Sequence, residues 1–175
     1  MAKKRYKVDI LSPSSINQLK KNLQAYRDGL QGKCYTLVQR LAEKGVEISK
    51  AYIQRLDAVF TGELHNSMKS EMILNSPERV VFAVVADSTH AVFVEFGTGM
   101  VGKDKPYPVK FPEGVDWQYA TGKTIRQLSD GRYGWFYERD GQWYFTEGMP
   151  SRPFMHYTSL ELMREIVKTA REVFA

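Results

Sequence analysis

Cysteine is nearly missing from this sequence: Cys34 is the only one in 175 residues. That excludes an internal disulfide framework and a cysteine-rich zinc site, and it points to synthesis in a reducing cytoplasm. Long apolar runs are missing too. None approaches the ~20 residues of a membrane-spanning helix, and no apolar signal core follows the basic start MAKKRYKVDI. There is no internal repeat and no low-complexity tract. Histidine is sparse, and His65, His90 and His156 share no local spacing. Without an H-x-x-x-H or C-x-x-C nucleus, neither metal ligation nor a nucleophile-and-base arrangement is expected, and no cofactor is called for.

What is present suits one globular domain over 1–175, with 43% hydrophobic and 26% charged residues. Net charge is +5 and unevenly spread. Residues 1–44 carry ten Lys/Arg against three Asp/Glu, and the rest carry fifteen against seventeen, so +7 faces −2. A basic DNA-binding accessory protein is one reading of that asymmetry; a solvated helix face behind a flexible basic start, 1–11, is the other.

The pattern predicts an α+β fold: a long N-terminal helix and a C-terminal helix packed on an antiparallel β-sheet, with a long loop and an aromatic hairpin inserted at 100–147. Ser12 can cap the first helix with Pro13 at its first position, or Ser15 and Gln18 can form a capping box. Apolar residues then recur in steps of three and four from Ile16 to Leu41. Gly45 is the expected stop, and 49–60 is a second helix or a continuation. Gly29 and Gly32 would weaken the middle and allow a bend. Segments 63–74, 78–87 and 89–97 have strand lengths and compositions and suggest a meander, although 91–95 could instead be a helical turn. Asp140-Gly141 is a two-residue hairpin turn. It puts Trp135, Tyr137 and Tyr144 on one face, and Phe136, Trp143 and Phe145 on the other. One layer can cover only one of those faces, so Trp135, Trp143 and Tyr144 are candidate partner contacts. Pro153 opens the last helix, with an expected apolar stripe through Phe154, Tyr157, Leu160 or Glu161, Met163 or Arg164, Val167 and Val173–Phe174.

Gly97 to Asp104 reads G-x-x-x-x-G-K-D, one letter from the phosphate-binding loop G-x-x-x-x-G-K-[ST]. Asp104 would set a carboxylate beside phosphates, and Pro106 and Pro108 oppose the helix the motif needs. A second fragment, Gly122-Lys123-Thr124, has Trp117 where the first glycine belongs. No nucleotide chemistry is therefore expected. Gly97 and Gly99 instead suit a sharp reversal with positive φ after a strand. Glu95, acidic inside an apolar segment, is expected to be held by a salt bridge or by that glycine turn rather than to act as an acid–base catalyst.

Three patches in order, TGELHNSM (61–68), HAVFVEFGTG (90–99) and GMPSRPFMHYTSLE (148–161), resemble the neck proteins of long-tailed bacteriophages. The family is the gene-product-ten-like group of head–tail joining, tail-completion or minor tail proteins. Thr61, Gly62, Leu64 and Ser67 match its T-G-x-L-x-x-S. Ala91, Val94, Glu95, Gly97, Thr98 and Gly99 match Y-A-x-x-V-E-x-G-T-G, with His90 in place of tyrosine. Pro150, Arg152, Pro153, Phe154 and Met155 match P-x-R-P-F-M.

The resemblance covers residues 12–175 apart from the insert and implies a non-enzymatic virion protein. Such a protein is made in the bacterial host cytoplasm and forms a ring in the phage neck. Its partners would be the connector, the tail tube or the tail terminator, with DNA passing through the ring and no membrane involved. It also implies that Glu95, Gly97, Thr98, Gly99, Arg152 and Phe154 serve the fold and subunit contacts. In such a ring Lys20, Lys21, Arg27, Lys33 and Arg40 are candidates to face the DNA path.

Overall fold

The computed structural model describes residues 7–58, 62–120 and 125–174. The basic start 1–6, Thr61 of the first motif and the Gly122-Lys123-Thr124 fragment lie outside the described residues. Ser12 caps the first helix, its hydroxyl accepting the Ser15 amide at 3.4 Å, and Pro13 follows at the first helical position. Helix α1 then runs unbroken from Pro13 to Arg55, 43 residues or about 65 Å.

Gly45 does not stop it. A Cβ there would come within 2.6 Å of Val84 Cγ2 and 3.0 Å of Leu162 Cδ1, so this glycine is a packing contact inside a continuous helix. The stop comes at Asp57, whose φ of 52° lets the Ala58 amide turn back to the Ile53 carbonyl at 2.9 Å.

A helical turn, α2 (Glu63–Asn66), follows Gly62 at φ 80° and drops Leu64 into the core. The antiparallel hairpin β1 (Met68–Asn75) and β2 (Val80–Ala86) comes next, with a bulge between Met72 and Leu74. The third strand does not form, and the alternative of a helical turn at 91–95 does. Residues Ala91–Phe96 form helix α3, burying Ala91, Val94 and Glu95 at helical spacing, which a strand would have split between two faces. Gly97 and Gly99 therefore follow a helix, and their φ values are 81° and 67°. A six-residue helix, α4 (Gly99–Asp104), forms despite the prolines beyond it and stops before them.

The long loop is organised by rings. Phe96 meets Tyr107, Phe111 and Trp117 at centroid distances of 5.0, 5.4 and 5.3 Å. Trp117 Nε1 donates to the Gly97 carbonyl at 3.0 Å. The short strand β3 (Arg126–Gln127) pairs with β4 (Tyr133–Arg139), which pairs with β5 (Gln142–Thr146) through the Asp140-Gly141 turn, φ 54° and 76°. Tyr137 pairs with Tyr144 and Phe136 with Phe145, so the two faces are composed as expected. Then β6 (Gly148–Met149) bridges to Thr98 and Gly99.

Helix α5 (Phe154–Phe174) returns antiparallel along α1. Tyr52 donates to Glu161 at 2.9 Å, Lys44 pairs with Glu165, and Lys33 lies 5.8 Å over the Phe174 ring. Its buried face carries Phe154, Thr158 and Thr169. Leu160, Met163 and Val167, expected in the packed stripe, lie on the exposed side. The core gathers Ile53, Leu64, Met68, Ala91, Val94 and Phe154 where α1, α2, β1, α3 and α5 meet.

Candidate functional site: the Glu95 junction and the hairpin cleft

Glu95 is 7% exposed and anchors the junction. Its carboxylate accepts the Met155 amide at 2.9 Å and the His156 amide at 3.0 Å, two of the unpaired donors in the first turn of α5. The expected salt bridge and the bond to the glycine turn are not what holds it; a helix N-terminus is. Burial raises its pKa, and the hydrogen bonds from Met155, His156 and Tyr107 pull the other way. Burial, and then the Glu95 charge, push Tyr107 up to about 12, so its hydroxyl keeps its proton and donates. All of this carboxylate's partners are structural donors.

Around Glu95 the chain is stitched across the junction. Ser151 Oγ donates to the Glu95 carbonyl at 2.6 Å, and the Arg152 amide to Val94 at 2.8 Å. Arg152 Nε donates to the Leu56 carbonyl at 3.0 Å, fastening the end of α1. A Cβ on Gly97 would lie 2.6 Å from the Ser151 amide nitrogen, and one on Gly99 would strike the Glu147 carbonyl oxygen. The glycine turn is thus a close backbone crossing. Phe154, at 0% exposure, and Glu95 spend their side chains inside the chain, and the backbone at Gly97 and Gly99 is buried beside them. The expectation that these four present a contact surface to a partner gives way to an intramolecular role, since a buried group has no face left to offer.

Beside the junction lies a cleft of about 1260 Å³ between the hairpin and the body. Phe93, Trp117, Trp135 and Tyr137 wall it, and Asp57, Asp116 and Glu138 stand on its exposed rim with Arg139. Thr98 lines it as well, and its Oγ1 is buried without a hydrogen-bond partner in the structure. Phe93 of α3 and the loop residues Trp117 and Tyr119 are not marked as site residues by the sequence; for the latter two, aromatic character inside a proline-rich segment is the available signal. On the outer side of the hairpin Trp143 is 68% exposed, and on the cleft side Tyr144, paired with Tyr137, is 42% exposed.

The five candidate DNA-facing residues of α1, Lys20, Lys21, Arg27, Lys33 and Arg40, are all exposed. At 3.6 residues per turn they do not share a face. Lys20 and Arg27 fall along one edge of the apolar stripe, Lys33 and Arg40 along the other, and Lys21 opposite.

Gly102 and Lys103 close α4 rather than open it, so the pseudo-motif sets no helix N-terminus against its own glycine loop. Among the described residues no three His, Cys, Asp or Glu side chains come together as metal ligands, and no helix is long and apolar enough to cross a membrane. Comparison with protein-family models, with curated proteins and with solved structures found no match to this chain.

Proposed function

We propose that this chain is a non-enzymatic structural subunit of a tailed-phage neck, completing the tail or joining it to the head as a ring around the DNA path. One observation carries the reading. The three separated patches on which the resemblance rests meet in a single junction. Leu64 of the first, Val94 of the second and Phe154 of the third share the core, and Glu95 of the second holds the first turn of α5 in the third. Motifs that mattered only as isolated letters would have no reason to converge. Apart from the Thr98 hydroxyl, the buried polar groups of the junction are engaged with partners inside the chain, as a scaffold requires.

Deleting the gene in a propagating phage tests this. We expect heads and tails that fail to join, or tails of faulty length. Normal infectious particles would overturn the assignment. A basic DNA-binding accessory protein would instead show affinity for duplex DNA that falls steeply with salt. The scatter of Lys20, Lys21 and Lys33 around α1 gives little support to that alternative.

A further inference from the structure

The apolar stripe of α1 begins before the body does. The tip of the β1–β2 hairpin reaches α1 at Gln31, which donates to the Ser76 carbonyl at 3.1 Å, and the end of α5 reaches it at Lys33. Residues 13–30 extend beyond both, about 27 Å of helix with Ile16, Leu23 and Leu30 exposed by 46%, 47% and 39%. Ile16, Leu19, Leu23, Tyr26 and Leu30 follow one another in steps of three and four, a seam suited to packing.

We propose that this arm of one copy docks in the hairpin cleft of the next copy, head to tail. The volume fits. The cleft's 1260 Å³ exceeds the ~300–1,000 Å³ of ordinary small-molecule pockets. It matches about two to three turns of a helix 10–12 Å wide, the length from Leu19 to Tyr26 or slightly more. The chemistry fits too. Phe93, Trp117, Trp135 and Tyr137 offer an aromatic wall to the seam, and Asp57 and Asp116 on the rim answer its basic edge, Lys20 and Arg27.

Charge decides against the other arrangement of two copies. Seam against seam would set these same cations against each other, at a cost rather than a gain. Arm into cleft is a heterologous contact, which propagates and closes into a ring where its rotation allows. It deepens the ring reading above and rests on it only for that closure. An interface of two or three helical turns is small, roughly below 1,200 Å², so association in solution is weak.

Sedimentation velocity on the full chain, from low micromolar to the highest attainable concentration, tests the contact. Leu23→Glu blocks the arm and Tyr137→Glu blocks the cleft. Asp116→Lys blocks the cleft by charge alone, should Tyr137→Glu unfold the hairpin. Wild type is expected to associate progressively, and each blocked variant to stay monomeric. An equimolar mixture of an arm-blocked and a cleft-blocked variant should form dimers and stop there, because one intact arm meets one intact cleft. The proposal falls if wild type stays monomeric throughout, if a cleft-blocked variant associates like wild type, or if the mixture contains monomers only. Should the contact fail while the deleted phage still yields unjoined heads and tails, the neck reading stands without it.

Discussion

The carboxylate of Glu95, in α3, accepts the backbone amide of Met155 at 2.9 Å across 60 residues of chain. The neighbouring amide of His156 lies 3.0 Å from its other oxygen. A side chain from one helix thus supplies the cap of another. Replacing it by alanine leaves two helix-terminal donors and the Tyr107 hydroxyl without their acceptor. We expect Glu95→Ala to cost about 2–4 kcal/mol, the sum of a lost cap and part-buried unpaired donors. Urea denaturation measures it, and a loss below ~1 kcal/mol would show that α5 is capped by other means.

The same residue gives a pH signature. Its folded pKa is raised, chiefly by burial, so the folded state keeps its proton to higher pH than the unfolded chain does. The associated stability is fully present below the unfolded glutamate value and is lost as pH rises through the raised folded value. Glu95→Gln has no such titration. The stability difference, wild type minus Glu95→Gln, should decline with pH across that window. Taking the difference removes the opposite contribution of Asp87, Asp130 and Glu165, whose pKa values are lowered by Lys69, Arg132 and Lys44. A difference independent of pH would contradict the assigned direction.

Gly97 and Gly99 combine positive φ with backbone closer than a Cβ allows, whereas Gly114 has φ 81° and nothing within 4 Å of its Cβ position. That contrast separates strain from collision. Gly114→Ala should cost about 1–2 kcal/mol, the left-handed penalty alone. Gly97→Ala and Gly99→Ala should each cost about 3 kcal/mol or more, because Ser151 and Glu147 backbone atoms must also move. Thermal melts that rank all three alike would remove the close crossing from the argument.

Local chemistry was legible in the sequence. Ser12 and Pro13 mark the start of α1, Asp140-Gly141 sets the hairpin register, and the faces of Trp135 and Phe136 follow from it. What failed was local reading of tertiary facts. Gly45 looks like a stop because its reason for being glycine is Val84 and Leu162, far along the chain. Segment 91–96 has the β-branched composition of a strand, so the sequence leaves strand and helical turn both open, and only the spacing of its buried residues decides for the helix. Glu95 could be flagged as buried, but its partners lie in α5, and only the fold brings them within reach.

The pseudo-motif at Gly97 yields a negative expectation. Phosphate binding needs amides of a helix N-terminus directed at the ligand, and here Gly102 and Lys103 end a helix of six residues. A Cβ on Gly102 would lie 2.9 Å from the Gly97 carbonyl carbon, so the loop is packed on itself with no cradle between. Isothermal titration with Mg·ATP should give no binding heat, and a micromolar dissociation constant would reverse this reading.

The outer face of the hairpin carries Phe136 and Trp143, 53% and 68% exposed, while Phe145 beside them is covered by the Arg132 guanidinium at 4.9 Å. Adjacent exposed rings of this size on one strand pair are a candidate contact patch. Trp143 sits opposite Glu138, so its removal breaks no aromatic cross-strand pair, whereas Tyr144 stacks on Tyr137 at 5.7 Å and helps hold the hairpin together. The two neighbours should therefore behave differently. Trp143→Ser should change stability by less than ~1 kcal/mol and still reduce the yield of infectious particles when it replaces the wild-type gene. Tyr144→Ser should lower the melting temperature visibly, because it loses a ring pair worth about 0.5–1.5 kcal/mol beyond its buried area. Melting curves and particle titres at matched protein levels separate the cases. A Trp143→Ser protein that melts well below wild type yet supports normal titres would make the outer face a part of the folded core.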